Sequence, residues 1–286
     1  MSPDWADKTA QQILSKDLIK KGICLILGAS DTGKTTLAAA FSEHSVSNQS
    51  VGIIDADIGQ SHIGPPTTVG WALVDNPKVD FSKLTAGGIS FVGNITPVGH
   101  LLQLTAAITQ CVQQVSKLAE LIVIDTPGLV YGPAASALWW TIQQLLKPEL
   151  ILAVQRNDEL SNILDGLRFF DSAIELIKSP PQMRVKSPEE RKRYRQNQFN
   201  EYFRDSFLCN IRLSDVSIQS DRSLSRENLA GRLVGLKDVK GIDLAVGIIE
   251  DWQDYKGVAI IRAPKLDIRQ ICCLVIGNAV IDLPDG

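Results

Sequence analysis

The sequence predicts an α/β fold: a doubly wound parallel sheet, followed by a basic helical lid and a small C-terminal β-rich unit. Three observations carry that prediction. A glycine-bracketed loop, Gly28-Ala29-Ser30-Asp31-Thr32-Gly33-Lys34-Thr35, lies between an apolar run and a good helix former. Apolar runs that end in acids then alternate with helical patterns, the signature of strands and crossover helices in a parallel sheet. Beyond about residue 207 the texture changes to short β-type runs separated by glycines and charged turns. The boundaries follow as 1–180 for the phosphate-loop domain, 181–206 for the lid and 207–286 for the β-rich unit.

Composition narrows the setting. The chain has 286 residues, 44% hydrophobic and 21% charged, which suits an ordinary globular protein. A net charge of −3 means that any nucleic-acid binding must come from a local basic patch and not from a global field. The five cysteines, Cys24, Cys111, Cys209, Cys272 and Cys273, form no C-x-x-C pair and mostly lie in apolar runs, which predicts buried reduced thiols, a reducing cytosol and no structural zinc. The first residues lack an apolar core of signal-peptide type, and no uninterrupted apolar run approaches the roughly 18 residues of a membrane span. A cytoplasmic protein with no membrane partner is expected.

In chain order, residues 5–20 read as an amphipathic helix with Trp5, Ile13, Leu14 and Leu18 as apolar contacts. Residues 23–27 form a strand. The loop after it fits G-x-x-x-x-G-K-[ST] at every fixed position, so the parallel sheet is of the P-loop NTPase kind. Glycines let the backbone curl until successive N–H groups and a helix N-terminus face a triphosphate. Gly28, Ser30, Asp31, Thr32, Gly33, Lys34, Thr35 and Thr36 are the candidate nucleotide contacts, with Lys34 reaching the β/γ-phosphates and Thr35 ligating Mg²⁺. Residues 51–57 are a buried strand ending in Asp55 and Asp57, which on an extended chain project to one face. Such a pair beside Lys34 can orient Mg²⁺ through water and take a proton from an attacking hydroxyl. Residues 58–66 form a Gly/Pro-punctuated wall of a groove, in which His62 alone carries little weight.

Residues 84–93 give another strand, and a helix over 99–118 carries a 3.6-residue stripe of Leu101, Leu104, Ala107, Ile108, Cys111, Val112 and Val115. Thr96 and His100 stand at its start, where free N–H groups favour an anion. Residues 121–125 are a second buried strand leading into Asp125-Thr126-Pro127-Gly128, which makes Asp125 a candidate sensor of Mg²⁺ or the γ-phosphate. A helix over 134–147 and a strand over 150–154 complete the alternation. Gln155-Arg156-Asn157-Asp158 only loosely matches the guanine-reading N-K-x-D, so GTP specificity is not supported.

From 182 to 203 the chain holds six cations (Arg184, Lys186, Arg191, Lys192, Arg193, Arg195) against three anions (Glu189, Glu190, Glu201), a local net of 6 − 3 = +3. Ser187-Pro188-Glu189-Glu190 is a helix start, with Ser187 as N-cap, Pro188 at N1 and Glu190 completing a capping box. Spacing by four aligns Arg191, Arg195 and Phe199. A solvated basic helix would look the same; a lid closing over a triphosphate would use the guanidinium groups to stabilise charge on the transferring phosphoryl. The β-rich remainder shows no catalytic constellation.

On these residues the chain resembles the polynucleotide 5′-hydroxyl kinase family, the RNA-end kinases related to those of tRNA splicing, pre-mRNA 3′-end formation and pre-ribosomal RNA processing. The resemblance runs from about residue 22 to about 218. Asp55-Ala56-Asp57-Ile58-Gly59-Gln60 looks like the family's D-x-D-x-G-Q motif, Gly93-Asn94-Ile95-Thr96-Pro97 its substrate-side loop, and 186–203 its arginine-bearing lid. The resemblance implies ATP and Mg²⁺ as cofactors and an RNA 5′-OH end as substrate, with DNA left open. It implies catalytic roles for Lys34, for Asp57 as activator of the hydroxyl, and for Lys186, Arg191 and Arg195 as lid charge. Gln60, Thr96, His100 and Leu129 become the substrate contacts. Three positions depart from the family pattern: Leu129 stands where a base-stacking tryptophan is common, His100 where asparagine is frequent, and Lys186 where the lid has arginine. The phosphate loop begins only 27 residues in, so a compact, single-subunit prokaryotic form with no obligate protein partner is expected. The rival reading is a nucleotide-dependent switch or assembly GTPase or ATPase acting through partner binding; a small-molecule kinase is the third.

Overall fold

Strand β1 (Gly22–Gly28) is the axis of the molecule, buried between β5 (Leu121–Asp125) and β6 (Leu150–Gln155), both parallel to it. The computed structural model describes residues 3–75, 83–220 and 229–281. Alternate residues of β1 serve opposite cores, as a strand covered on both faces requires. Ile23, Leu25 and Leu27 join the cluster built with α3 (Leu101–Val115) and α4 (Gly132–Leu146), while Cys24 and Ile26 join the one under α1 (Pro3–Ser15) and α2 (Lys34–Ser45). Helices on both faces make the sheet doubly wound, as expected.

The parallel part runs β7-β6-β1-β5-β2, with β2 at Val51–Asp55 and β7 at Ala173–Lys178, reached through the short α5 (Ser161–Leu167). Two differences from the sequence reading stand out. The sheet continues past β2 into antiparallel β3 (Thr68–Val74) and β4 (Gly88–Phe91), so it is mixed. Strand β3 hides behind the Gly64-Pro65-Pro66 turn, and Thr67 bends the chain with φ 75° before it. Helix α1 stops at Ser15, with Asp17 at φ 51° turning the chain away, instead of reaching residue 20. Trp5 nevertheless has a use: its ring lies 3.1 Å from where a Cβ on Gly33 would sit, so α1 leans on the phosphate loop. The predicted apolar stripe of α3 is buried from Leu104 to Val115.

The lid helix α6 (Pro188–Tyr202) starts as its sequence predicts: the Ser187 hydroxyl accepts from Glu190 N, and the Glu190 carboxylate accepts from Ser187 N. Its far end is anchored. Phe199 and Phe203 pack with Ile89 and Phe91 of β4 and with Leu233, Val246 and Ile248, and the Tyr202 hydroxyl accepts from Val246 N at 3.0 Å. After it come β8 (Ser206–Arg212), β9 (Ser217–Gln219), β10 (Arg232–Lys237), β11 (Asp243–Gln253), β12 (Val258–Pro264) and β13 (Cys273–Val280), antiparallel except for β9 beside β13. This unit has its own core, yet it joins the main sheet where β11 meets β4 at Asp243 and Ile89. There the buried Asp243 carboxylate accepts from Phe91 N at 2.9 Å and from Lys237 Nζ at 2.6 Å. All five cysteines are free; Cys24 and Cys111 are buried, whereas Cys209, Cys272 and Cys273 are only partly so. Among the described residues no helix is long and apolar enough to cross a membrane.

Candidate active site

The phosphate loop is set by backbone conformation and by three neighbouring segments. Gly33 caps α2 with φ 100°, in the left-handed region that glycine adopts without strain, and no side chain caps the helix there. Thr32 donates to Ala29 O at 2.9 Å inside the loop. From outside, Ser179 donates to Thr32 O at 2.8 Å, Arg156 Nη2 to Asp31 O at 2.5 Å, and Thr126 to Ile26 O at 2.7 Å at the loop's root. A Cβ on Gly128 would fall 2.2 Å from Ser30 Oγ, so the turn after β5 lies directly against the loop.

Within the cradle, Lys34 is buried and donates to Ala29 O at 2.9 Å. The Thr35 hydroxyl donates to Asp125 Oδ2 at 2.6 Å. Asp125 Oδ1 is buried with no hydrogen-bond partner among the described residues, and burial pushes the carboxyl up to about 7, against the pull of Lys34. Asp55, whose carboxyl burial raises likewise, is wholly buried. Its Oδ1 accepts from Asp57 N and its Oδ2 from His62 N and Ile63 N, so this carboxylate clamps the loop over 57–63. Strand β2 therefore ends at Asp55, and the same-face argument for the Asp55/Asp57 pair gives way to a turn. Asp57 sits half-exposed on that turn, its Oδ1 accepting from Gly59 N and Gln60 N at 3.1 Å each.

Helix α6, the predicted lid, lies against this edge. Arg191 pairs with the Asp31 carboxylate, and Lys186 N donates to the same oxygen at 3.1 Å. Gln60 Nε2 donates to Gly59 O at 2.8 Å and to Arg191 O at 3.3 Å, tying the acidic turn to the lid. The stripe at i, i+4 faces inward: Arg191 and Arg195 are half-buried and Phe199 is buried, while Lys192 and Arg193 are exposed. Burial and the neighbouring Arg191 lower Arg195, and Asp57 opposes them, so two guanidinium groups and Asp57 share one field.

The family model described as "mRNA cleavage and polyadenylation factor CLP1 P-loop" matches residues 28–205, more than half of the chain. The chain belongs to the CLP1 P-loop family. A protein named polyribonucleotide 5′-hydroxyl-kinase from Pyrococcus abyssi is 33% identical over 204 residues, covering 71% of this chain and 56% of the relative. One of the same name from Thermococcus kodakarensis is 28% identical over 273 residues, covering 92% of this chain and 75% of the relative. The chain thus spans little more than half the length of the Pyrococcus relative. The solved structure of a Clp1p–Pcf11p complex has the same fold, with a TM-score of 0.71 at 12% identity over 97% of this chain and 79% of that one.

The remaining expected contacts of this CLP1 P-loop chain are not brought together: Thr96 and His100 flank one loop, and Leu129 packs against the core. Thr96 is exposed, its N–H donating to Asn94 Oδ1 at 3.1 Å, and its loop touches the acidic turn, since Ile95 O lies 2.8 Å from a Cβ on Gly59. His100 has Nδ1 3.2 Å from Val98 O and Nε2 within 3.4 Å of the side-chain amides of Asn94 and Asn278, an arrangement that fits a proton on Nδ1. Leu129 turns toward the core under α4, and its carbonyl accepts from Trp139 Nε1 at 2.7 Å. The exposed aromatic of this turn is Tyr131. Sequence reasoning missed Tyr194, whose hydroxyl donates to Ser61 O at 3.0 Å and lies 2.9 Å from His62 Nδ1, while Lys186 Nζ stands 5.4 Å above its ring. Its position between Arg191 and Arg195 in a lid was the available signal. Arg156, which in the sequence is only part of a loose match to the guanine-reading motif, sits on the phosphate loop.

Proposed function

We propose that this CLP1 P-loop protein is an ATP- and Mg²⁺-dependent kinase that phosphorylates the 5′-hydroxyl end of RNA. The observation that carries the reading is the meeting of a cationic helix, through Arg191 and Arg195, with the phosphate loop and Asp57. The names of the archaeal relatives support it. A switch acting through partner binding has no need of such a lid.

The residues present fit both cofactors. Among the described residues the first turn of α2 has no side-chain cap to compete with a phosphate, and Lys34 donates to a loop carbonyl that a phosphate can replace. An orphaned, buried Asp125 oxygen beside the Thr35 hydroxyl is what a hydrated divalent cation would satisfy. When bound, ATP supplies the phosphoryl group and Mg²⁺ offsets its charge. Lys34 would turn from Ala29 O to the phosphates, and Thr35 with Asp125 would hold the cation, Asp55 keeping the acidic turn in place. Asp57 would accept the proton of the attacking 5′-hydroxyl, and Arg191, Arg195 and Lys186 would stabilise charge on the transferred group. Gln60 holds the turn to the lid, while Thr96 and His100 form the rim along which the acceptor strand would leave.

The test is transfer of label from γ-labelled ATP to a 5′-OH oligoribonucleotide. Label at the 5′ end, dependent on Mg²⁺ and lost in Lys34→Ala, is expected; intact folded protein that hydrolyses nucleotide but never labels the end would overturn the reading.

A further inference from the structure

A carboxylate is an unexpected neighbour for a triphosphate, because it repels the ligand it borders. Asp31 nevertheless occupies the middle of the phosphate loop, and its backbone sits at φ 58°, a conformation that side chains other than glycine rarely adopt. Its contacts give a reason. The side chain is 9% exposed and pairs with Arg191, itself 25% exposed, while the same oxygen accepts from Lys186 N at 3.1 Å. Its carbonyl accepts from Arg156 Nη2 at 2.5 Å, which fixes the peptide that aims the carboxylate at the lid.

We propose that Asp31 is the positioning residue for Arg191: it holds the guanidinium over the phosphate loop before nucleotide arrives, so that the lid is assembled in advance. The lid is held in different ways along its length: its C-terminal end by the buried Phe199 and Phe203, its middle by hydrogen bonds of Gln60 to Arg191 O and of the Tyr194 hydroxyl to Ser61 O, and its N-terminal end by the Asp31 carboxylate. The Asp31 contact is an ion pair and stands where an incoming phosphate competes for the same guanidinium. Preorganised charge of this sort stabilises a transition state without reorganisation during the reaction. The consequence for rate rests on the kinase reading; the docking itself does not.

Measurements on the full chain test it, using Asp31→Gly, whose backbone fits φ 58°. Amide hydrogen exchange over residues 184–195 in the ligand-free protein should quicken about tenfold in Asp31→Gly, with melting temperature little changed. Calorimetric ATP affinity should hold or tighten as the repelling charge goes, whereas kcat should fall by about ten- to a hundredfold. In an Arg191→Ala background, Asp31→Gly should produce no further loss of kcat. Unchanged lid exchange, or losses from the two substitutions that multiply, would overturn the proposal. If the wild-type protein transfers no phosphate to RNA, the kinase reading fails, and lid exchange still decides the role of Asp31.

Discussion

The Thr35 hydroxyl donates to Asp125 Oδ2 at 2.6 Å, joining the first turn of α2 to the end of β5 and leaving the other carboxylate oxygen buried with no hydrogen-bond partner among the described residues. Burial pushes both Asp125 and Asp55 up to about 7, with the Asp55 charge adding to the rise at Asp125 and the Asp57 charge adding to the rise at both. The folded chain therefore binds more protons than the unfolded one between the ordinary carboxylate range and about 7, and linkage makes its stability fall as pH rises through that window. Ligand-free protein should melt lower at pH 7.5 than at pH 5.5. If Asp125 holds Mg²⁺ as proposed, its ionised form is the binding one, and Mg²⁺ with nucleotide should raise the melting temperature more at pH 7.5. Scanning calorimetry at the two pH values checks both signs, and Asp125→Asn should flatten the difference.

Asp57 has the geometry for a substitution that separates chemistry from folding. An asparagine there keeps an oxygen to accept from Gly59 N and Gln60 N, so the turn should survive. Removing a positioned base costs about 10²–10⁴-fold in rate. Asp57→Asn should lose kcat on that order while its melting temperature and ATP affinity stay near wild type; ordinary rates would remove Asp57 as the base.

What could be read without coordinates was whatever local chemistry enforces. The phosphate loop, the Ser187/Glu190 capping box and the stripe on α3 depend on residues a few positions apart, and all three are present. Strand β3 was not legible, because its place depends on pairing with β2 and not on its own pattern. The work of Asp55 was hidden for a related reason: an acid at a strand end looks like a ligand until the His62 and Ile63 amides are seen to come back to it. Asp31 and Arg191, 160 positions apart, meet only through the tertiary fold.

The lid's C-terminal anchor should carry stability as well as position. Phe199 is 3% exposed in a cluster shared by α6, β4 and the C-terminal strands. Truncating a phenylalanine so buried costs about 3–5 kcal/mol. Phe199→Ala should lower the urea midpoint accordingly and release the lid to proteolysis before the parallel sheet unfolds. A loss below about 1 kcal/mol would mean that the junction repacks without it.

Gly128 offers a steric test of how closely the turn after β5 governs the phosphate loop. A Cβ there would lie 2.2 Å from Ser30 Oγ and 2.6 Å from Ser30 N, and the second atom is backbone that a side-chain rotation cannot move. Gly128→Ala must therefore push residues 29–31 outward, at an overpacking cost of about 1–3 kcal/mol. The displaced segment includes Asp31 and the Ala29 carbonyl that holds Lys34, so nucleotide binding should suffer together with lid docking. Calorimetry should show ATP affinity down by about tenfold or more, with faster exchange across 184–195. ATP affinity equal to wild type in the folded variant would show that the loop accommodates the methyl group elsewhere.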